Sequence, residues 1–527
     1  MNLNRVAVLG GGPGGLYAAR LLKLSHPGAE VTVYEQSSPD DTFGFGVGLA
    51  TRTQRNLNQA DATSFEAIAA VAHTHDVEMQ VGGRSARLRN RDSFAIARST
   101  LLSVLEEQAA EAGVRICAGA RRSVGELEAD LIIAADGINS ATRIRMADRF
   151  EARVTTGAGL YLWCGTEFEL PSAIFAPVTT EHGTFVAHAY PYAADRSTFL
   201  IETDEETWRR AGFDQSTERT LPQDSDEVSL RYLEEAFAET LQGHRLIGNR
   251  TRWMHFRTVA CKRWHSGNVV LLGDAAHTAH YSIGSGTKLA MEDAIALDQS
   301  IRNAEDLDQA LIEYERMRRP AVDHLQEIAH RSELWWESFP TRLDLPVEQL
   351  MVAYMTRAGK VTVERFLAAA PELVRRGLAS YAGVLASEVP ATEINEWILN
   401  QPLLHHGRRF AHRNAPAELR GAFSTAIIEV DVPSAWVGEA DSIVANVASE
   451  ETLWLTGPAD RLSVLSRLDL AERLIRNTGA LVVTEVPVSF KSDIVAGLAS
   501  SRTHLGFFTT PEPVAANAKS LETAGSA

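Results

Sequence analysis

Residues 5–35 constrain the fold more tightly than any other stretch, because they read as strand, glycine turn, helix and strand. Arg5-Val6-Ala7-Val8-Leu9 is a buried-strand run, and Gly10-Gly11-Gly12-Pro13-Gly14-Gly15 follows it. Residues 16–24 have helical spacing, and Val31-Thr32-Val33-Tyr34-Glu35 is a second strand that ends on an acid. Each glycine of the GxGxxG pattern has a mechanical task. Gly10 permits the tight turn, Gly12 lets backbone approach a pyrophosphate, and Gly15 packs helix on strand. The helix start, with Pro13 and Gly14, then faces the phosphates. Glu35 stands where an acid would accept hydrogen bonds from a ribose 2′-hydroxyl and repel a 2′-phosphate. The unit predicts a dinucleotide-binding α/β domain.

Two later strands end on further acidic turns. Residues 130–137 (DLIIAADG) carry Asp136-Gly137 at the end of a strand, where ligands of parallel sheets sit. Residues 268–277 (NVVLLGDAAH) form another buried strand closing on Gly273-Asp274. Gly284-Ser285-Gly286-Thr287 then opens a helix, and its backbone N–H groups suit an anionic ring edge.

With these motifs in this order, the chain resembles the single-component flavoprotein aromatic hydroxylases of the para-hydroxybenzoate hydroxylase fold. It most resembles the branch of salicylyl-CoA 5-hydroxylases and the monooxygenase half of 2-aminobenzoyl-CoA monooxygenase/reductases. PDDTFGFGVG (39–48), ETWRRAG (206–212), GHRLIGNR (243–250), residues 273–297 and YERMRRP (314–320) carry that likeness. The resemblance implies FAD as cofactor, NADH or NADPH as co-substrate, and O2. Its reaction is hydroxylation or epoxidation of an electron-rich ring through a flavin C4a-hydroperoxide. It also implies an ortho-hydroxy- or ortho-aminobenzoyl thioester as substrate, on coenzyme A or an acyl carrier protein.

The family pattern gives roles by position. Gly10, Gly12, Pro13, Gly14, Gly15 and Glu35 would hold the ADP part of FAD, and Arg98 would contact the cofactor. Asp136 would lie near the FAD and the nicotinamide donor, Asp274 would bond the ribityl chain, and Gly284, Ser285, Gly286 and Thr287 would border the pyrimidine edge. Many relatives have a proline-rich turn where this chain reads His280-Tyr281-Ser282, a variation that the thioester-using branch shares.

Three residues after the Gly-Asp turn are candidates for proton handling, His277, His280 and Tyr281. Residues 161–170, 183–192 and 197–204 alternate as strands, with a hairpin turn at 193–196. His188, Tyr190 and Tyr192 share one face at period two, which leaves open an aromatic pocket wall or a solvent-side face. Phe45 and Val47 lie in the apolar FGFGVG stretch, read as a flexible segment beside the substrate. Arg84, Arg87, Arg89 and Arg91 form a basic hairpin that suits a phosphate or an acidic carrier helix, or simply a solvated turn. Neither HTHD (73–76) nor the pair 405–406 has metal-ligand context, so no metal is expected.

Fifty-one basic against sixty-eight acidic residues give a formal charge of −17, which disfavours nucleic acid as a partner. No apolar run approaches the ~18 residues that a bilayer span needs. Three separated cysteines and a first strand that starts at residue 5 point to a cytoplasmic protein without a signal peptide.

The expected fold class is α/β: an FAD-binding Rossmann-like domain with an interleaved mixed or antiparallel substrate sheet, plus a small C-terminal α/β domain. The hydroxylase spans residues 1–360, with FAD-binding parts at about 1–60, 95–150 and 255–335 and the substrate sheet at about 61–94 and 151–254. Residues 361–402 are a helical connection and 403–421 a linker. Residues 403–510 alternate strands and helices, and resemble a truncated, flavin-free old-yellow-enzyme barrel that could serve docking or homo-oligomer contact. Residues 511–527 read as a disordered tail. Two rivals remain at this point, a two-component monooxygenase fed with reduced FAD, and a flavin-binding partner protein without turnover.

Overall fold

The computed structural model describes residues 3–37, 44–90, 92–432, 434–436, 438–447 and 452–510. The expected tail at 511–527, Arg91, and residues 39–43 of the PDDTF segment lie outside these. Backbone contacts divide the chain into two units, residues 1–347 and 348–527.

The first unit holds three sheets, two of them large. One has six strands in the order His265–Ser266, Val269–Leu271, Leu131–Ala134, Arg5–Leu9, Glu30–Tyr34 and Arg115–Cys117. All neighbours run parallel except the first pair. Runs of β-branched and aliphatic residues build it: Val8, Val33, Ile133 and Leu271 are inaccessible to solvent, as a parallel sheet covered on both faces requires. The helices Pro13–Ser25, Arg98–Glu111 and Gly286–Asn303 pack nearby and contribute Leu16, Leu101 and Leu297 to the same core.

The second sheet runs Leu246–Ile247, Ala152–Thr166, Arg196–Thr203, Gly183–Ala193, Ala173–Thr180, Val77–Val81 and Arg84–Leu88, and Met254–Cys261 also pairs with Ala152–Thr166. It is antiparallel except where residues 173–175 meet 77–79. Its two faces differ. Leu160, Leu162, Phe185, Ala187, Phe199 and Ile201 pack under Phe213, Leu233 and Phe237 from the helices that follow. Each large apolar side chain buried there contributes about 2 kcal/mol. The opposite face carries Tyr161 and Glu202 in register, then Trp163 beside Leu200, and His188 beside Leu200 and Phe175.

The segment read as flexible contains a strand. Gly46–Leu49 pairs antiparallel with Phe94–Ala97, which also pairs His73–Thr74. Cross-strand pairing has overridden the glycine-rich local preference.

In the second unit, four parallel strands, Thr425–Glu429, Thr452–Thr456, Leu481–Pro487 and Leu505–Thr509, lie in sequence order. The helices Glu439–Asn446, Arg461–Thr478 and Lys491–Ala499 alternate with them. Helices Val363–Ala369, Pro371–Ala382 and Ile394–Leu399 precede the sheet. The stretch read as a linker holds a hairpin, Leu403–His405 with Arg408–Phe410. Three residues per strand are too few to display an alternation.

Candidate active site

The glycines of the first turn do different things. Gly10 has φ +104°, and a Cβ there would stand 2.3 Å from the Ala135 carbonyl oxygen. A Cβ on Gly15 would stand 2.1 Å from the Gly10 oxygen, and one on Gly14 2.6 Å from Leu272. These three are glycine because the chain packs on itself. Gly12 differs, since a Cβ there meets nothing within 4 Å. It caps the Pro13–Ser25 helix without a side-chain hydrogen bond, so the first N–H groups border open space. Glu35 is held by the N–H groups of Gly11 (2.6 Å) and Ser37 (2.8 Å), and its carboxylate keeps acceptor capacity to spare.

The other two turns are laced to each other. Arg143 donates to the carbonyls of Ala275 (2.9 Å), Asp274 (3.3 Å) and Ile138 (2.5 Å). Asp136 Oδ2 accepts from the Thr142 N–H at 3.1 Å, while its buried Oδ1 has no hydrogen-bond partner. Asp274 is reachable by solvent yet crowded by protein, and burial raises its pKa against the pull of His277 and Arg98. The Arg98 guanidinium feels Asp274 in return, and burial lowers its pKa. At the third turn Gly284 is left-handed (φ +59°), and nothing lies within 4 Å of a Cβ at Gly284 or Gly286. Ser285 is buried, and the Gly286–Asn303 helix, whose second residue is Thr287, starts without a side-chain cap. Two uncapped helix starts, open glycines and an orphaned carboxylate oxygen fit a dinucleotide that carries a phosphate chain and ring-edge acceptors.

The structure separates the proton-handling candidates. His277 Nε2 lies 2.7 Å from Asp293 Oδ2, and Asp293 also binds Arg318 at 2.7 Å and the Gly273 N–H at 3.1 Å. This buried network pins the Gly-Asp turn. His280 is buried, bonds Ser282 Oγ through Nδ1 at 2.8 Å, and is pushed down to about 4 by burial. Tyr281 donates to Glu202 Oε2 at 2.5 Å. His188 Nε2 lies 3.2 Å from Glu202 Oε1, off the line of a hydrogen bond. Burial pushes the Glu202 carboxyl up, but His188 and Tyr281 bring it below the ordinary range.

His188 sits against Trp336 (4.2 Å between ring centres), Phe175 (5.2 Å) and Tyr281 (6.0 Å). Tyr190 donates to the Gly46 carbonyl at 2.6 Å, and Thr198 Oγ1 accepts from the Gly46 N–H at 2.8 Å. These bonds fasten Phe45 onto the sheet, where it clusters with Tyr190, Tyr192 and Trp163. The 188/190/192 face is therefore the inner one. Val47 does not join this cluster and packs into the core of the six-stranded sheet. In the basic hairpin Arg87 is paired with Asp76 at 3.0 Å, while Arg84 and Arg89 are exposed.

A family model described as an FAD binding domain matches residues 87–329. A salicyloyl-CoA 5-hydroxylase from a Streptomyces species is 42% identical over 369 residues, covering 68% of this chain and 71% of the relative. A 3-hydroxy-4-methyl-anthranilyl-(aryl-carrier protein) 5-monooxygenase from Streptosporangium sibiricum is 38% identical over 360 residues, covering 68% and 95%. The chain belongs to the FAD-dependent aromatic monooxygenases. For the fold alone, a solved structure of 2-methyl-3-hydroxypyridine-5-carboxylic acid oxygenase superposes with a TM-score of 0.51 at 22% identity, covering 67% of this chain and 96% of that one.

The structure gathers beside His188 and Tyr281 further side chains that the sequence reading did not single out: Tyr161, Trp163, Glu202 and Trp336. Period-two alternation marked two faces of the substrate sheet. It could not tell which one the helices of residues 205–241 would cover. Glu202 carries no more of a sequence signal than an acid next to apolar Ile201 in a strand that is buried almost throughout. Among the described residues no helix is long and apolar enough to cross a membrane.

Proposed function

We propose that this monooxygenase hydroxylates an aromatic ring presented as an ortho-hydroxy- or ortho-aminobenzoyl thioester, with NADH or NADPH as electron donor. The observation that carries the reading is the inner face of the substrate sheet, where Tyr161, Trp163, His188 and Tyr190 gather an aromatic wall in the same unit as the three open turns. The names of the two relatives, each acting on an aryl thioester, support the thioester.

In this reading Gly12 and Glu35 with Pro13 seat the ADP part of FAD, and Gly10, Gly14 and Gly15 shape the turn that holds it. Arg98, Asp136 and Asp274 hold the middle of the cofactor, and Gly284 to Thr287 border its ring. FAD supplies redox chemistry and oxygen activation when bound. The chain binds and orients the ring between Phe45, His188, Tyr190 and Tyr192, excludes water with Trp163 and Trp336, and manages protons at Tyr281 and His280. His277 acts on the Gly-Asp turn through Asp293. Residues 348–527 serve as a flavin-free unit.

Anaerobic mixing of the yellow holoenzyme with NADH or NADPH tests this, followed by bleaching of the flavin band. Salicylate, anthranilate and their CoA thioesters are added in turn. Reduction accelerated by a thioester and not by its free acid supports the reading. Equal acceleration by the free acids removes the thioester, and reduction by neither nucleotide removes the donor.

A further inference from the structure

A buried carboxylate joins the substrate sheet to the turn that leads into Gly284. Glu202 lies in the strand Arg196–Thr203, paired with Tyr161 on one side and Val186 on the other, and is 8% exposed. Its two oxygens face different elements. Oε2 accepts from Tyr281 at 2.5 Å, at the start of the short turn Tyr281–Ile283 that runs into Gly284 and the Gly286–Asn303 helix. Oε1 faces His188 Nε2 at 3.2 Å, within ion-pair distance and off the line of a hydrogen bond. Against the push of burial, His188 and Tyr281 hold the Glu202 carboxyl below the ordinary range. Burial and then the charge of Glu202 hold the Tyr281 hydroxyl well above its own. Near neutral pH the link is therefore a phenol donating to a carboxylate, the short and strong kind.

The two ends of this line are fixed unequally. Tyr281 is bonded to Glu202, and its ring lies 5.0 Å from that of Tyr161. Ser282 ties the same turn to Ser332 Oγ, at 2.7 Å, on the helix Leu307–Glu337. Past it the backbone is loosely filled, with nothing within 4 Å of a Cβ at Gly284 or Gly286. His188, by contrast, is held by the rings of Trp336 and Phe175 and by the ion pair with Glu202. Turning the imidazole towards Oε1 completes a hydrogen bond there and draws charge from Oε2. Turning it away returns that charge to the bond with Tyr281. A substrate ring that meets His188 therefore alters how firmly Glu202 holds the turn.

We propose that Glu202 is a positioning residue: through Tyr281 it passes contact at His188 to the turn that borders the flavin, and so carries the acceleration of flavin reduction by a bound aryl thioester. This rests on the reading above, in which the ring meets His188 and Gly284 to Thr287 border the flavin, and it names the residues that connect the two. The reduction itself is unaltered. A hydride passes from the nicotinamide to the flavin, and Glu202 neither gains nor loses a proton.

The test uses the holoenzyme, with 2-hydroxybenzoyl-CoA and 2-aminobenzoyl-CoA as probes. Binding to the oxidised protein is measured by calorimetry, the flavin's response by its absorbance change on binding, and reduction by anaerobic mixing with NADH or NADPH. Tyr281→Phe keeps the ring and removes the bond to Glu202. The expected result is a thioester that still binds, a smaller absorbance change, and a ratio of reduction rates with and without thioester lowered about tenfold. Glu202→Gln removes the ion pair and weakens the same bond from its other side, and should give the same loss. The double variant should lose no more than the larger single loss. An absorbance change and a ratio that survive both single variants overturn the inference and leave the thioester reading standing, and so do losses that add in the double variant. If the unaltered protein shows no effect of either thioester on absorbance or reduction, the thioester reading fails and this inference falls with it.

Discussion

Both units end parallel strands at turns that lead into helices, yet the ends are finished in opposite ways. In the first unit the turn after Arg5–Leu9 leaves Gly12 open and its helix uncapped, Asp136 keeps an unpartnered oxygen, and Asp274 faces solvent. In the second unit the turn after Thr452–Thr456 is filled by the chain. A Cβ on Gly457 would stand 2.4 Å from the Val430 carbonyl oxygen, and Arg467 donates to the carbonyls of Pro458 and Glu485. Glu485 accepts from Trp454 Nε1 at 2.6 Å and Thr456 Oγ1 at 3.1 Å, and Asp460 caps the next helix by accepting from the Ser463 N–H. An α/β turn binds a ligand when its backbone donors are left without internal partners. The turn between Thr452–Thr456 and Arg461–Thr478 has satisfied its own.

The largest expected effect is on acid stability, where each unit has a buried neutral histidine. His280 is held near 4 and His504 near 3, in both cases chiefly by burial, and His504 Nδ1 accepts from the Val482 N–H. The folded values lie below the unfolded value of 6.5. The stabilisation is therefore complete above pH 6.5 and is lost as pH falls towards the folded values. By pH 4 each histidine should cost its unit about 3 kcal/mol. Hydrogen exchange resolved by peptide should show this loss in both units, and His280→Gln should flatten it in the first unit alone.

Gly12→Val fills the open side of the first turn, and should weaken FAD binding about a hundredfold, near 3 kcal/mol, with the apo protein's melting temperature nearly unchanged. Gly457→Ala sharpens the contrast. At φ +149° and with no room for a Cβ, it should destabilise the second unit by about 2 kcal/mol while FAD content stays full. The smallest change is Glu35→Gln. It weakens the acceptor that holds the turn and should cost about tenfold in FAD affinity, read by flavin fluorescence on dilution.

What the sequence made legible follows from distance along the chain. The Gly10–Glu35 unit is a continuous segment whose glycines, helix and acid are read together, and the Asp136 and Asp274 turns repeat the strand-then-acid signal. The substrate wall is assembled from strands far apart in sequence, so Glu202 and Tyr161 became visible only through their register with each other and Tyr281's bond to Glu202. Val47 shows the converse. Two residues from Phe45 in a glycine-rich stretch, it looked equivalent, but once Gly46–Leu49 paired as a strand it went to the core. The histidines after Gly273 also read alike, and only the partner of each, Asp293 for His277 and Ser282 for His280, tells them apart.

The most direct test of the open-turn and closed-turn account is a flavin count on the purified full-length protein. It is denatured, and the released flavins are separated and quantified per chain. The account expects one FAD per chain and no FMN. A second flavin, or FMN alone, would contradict it.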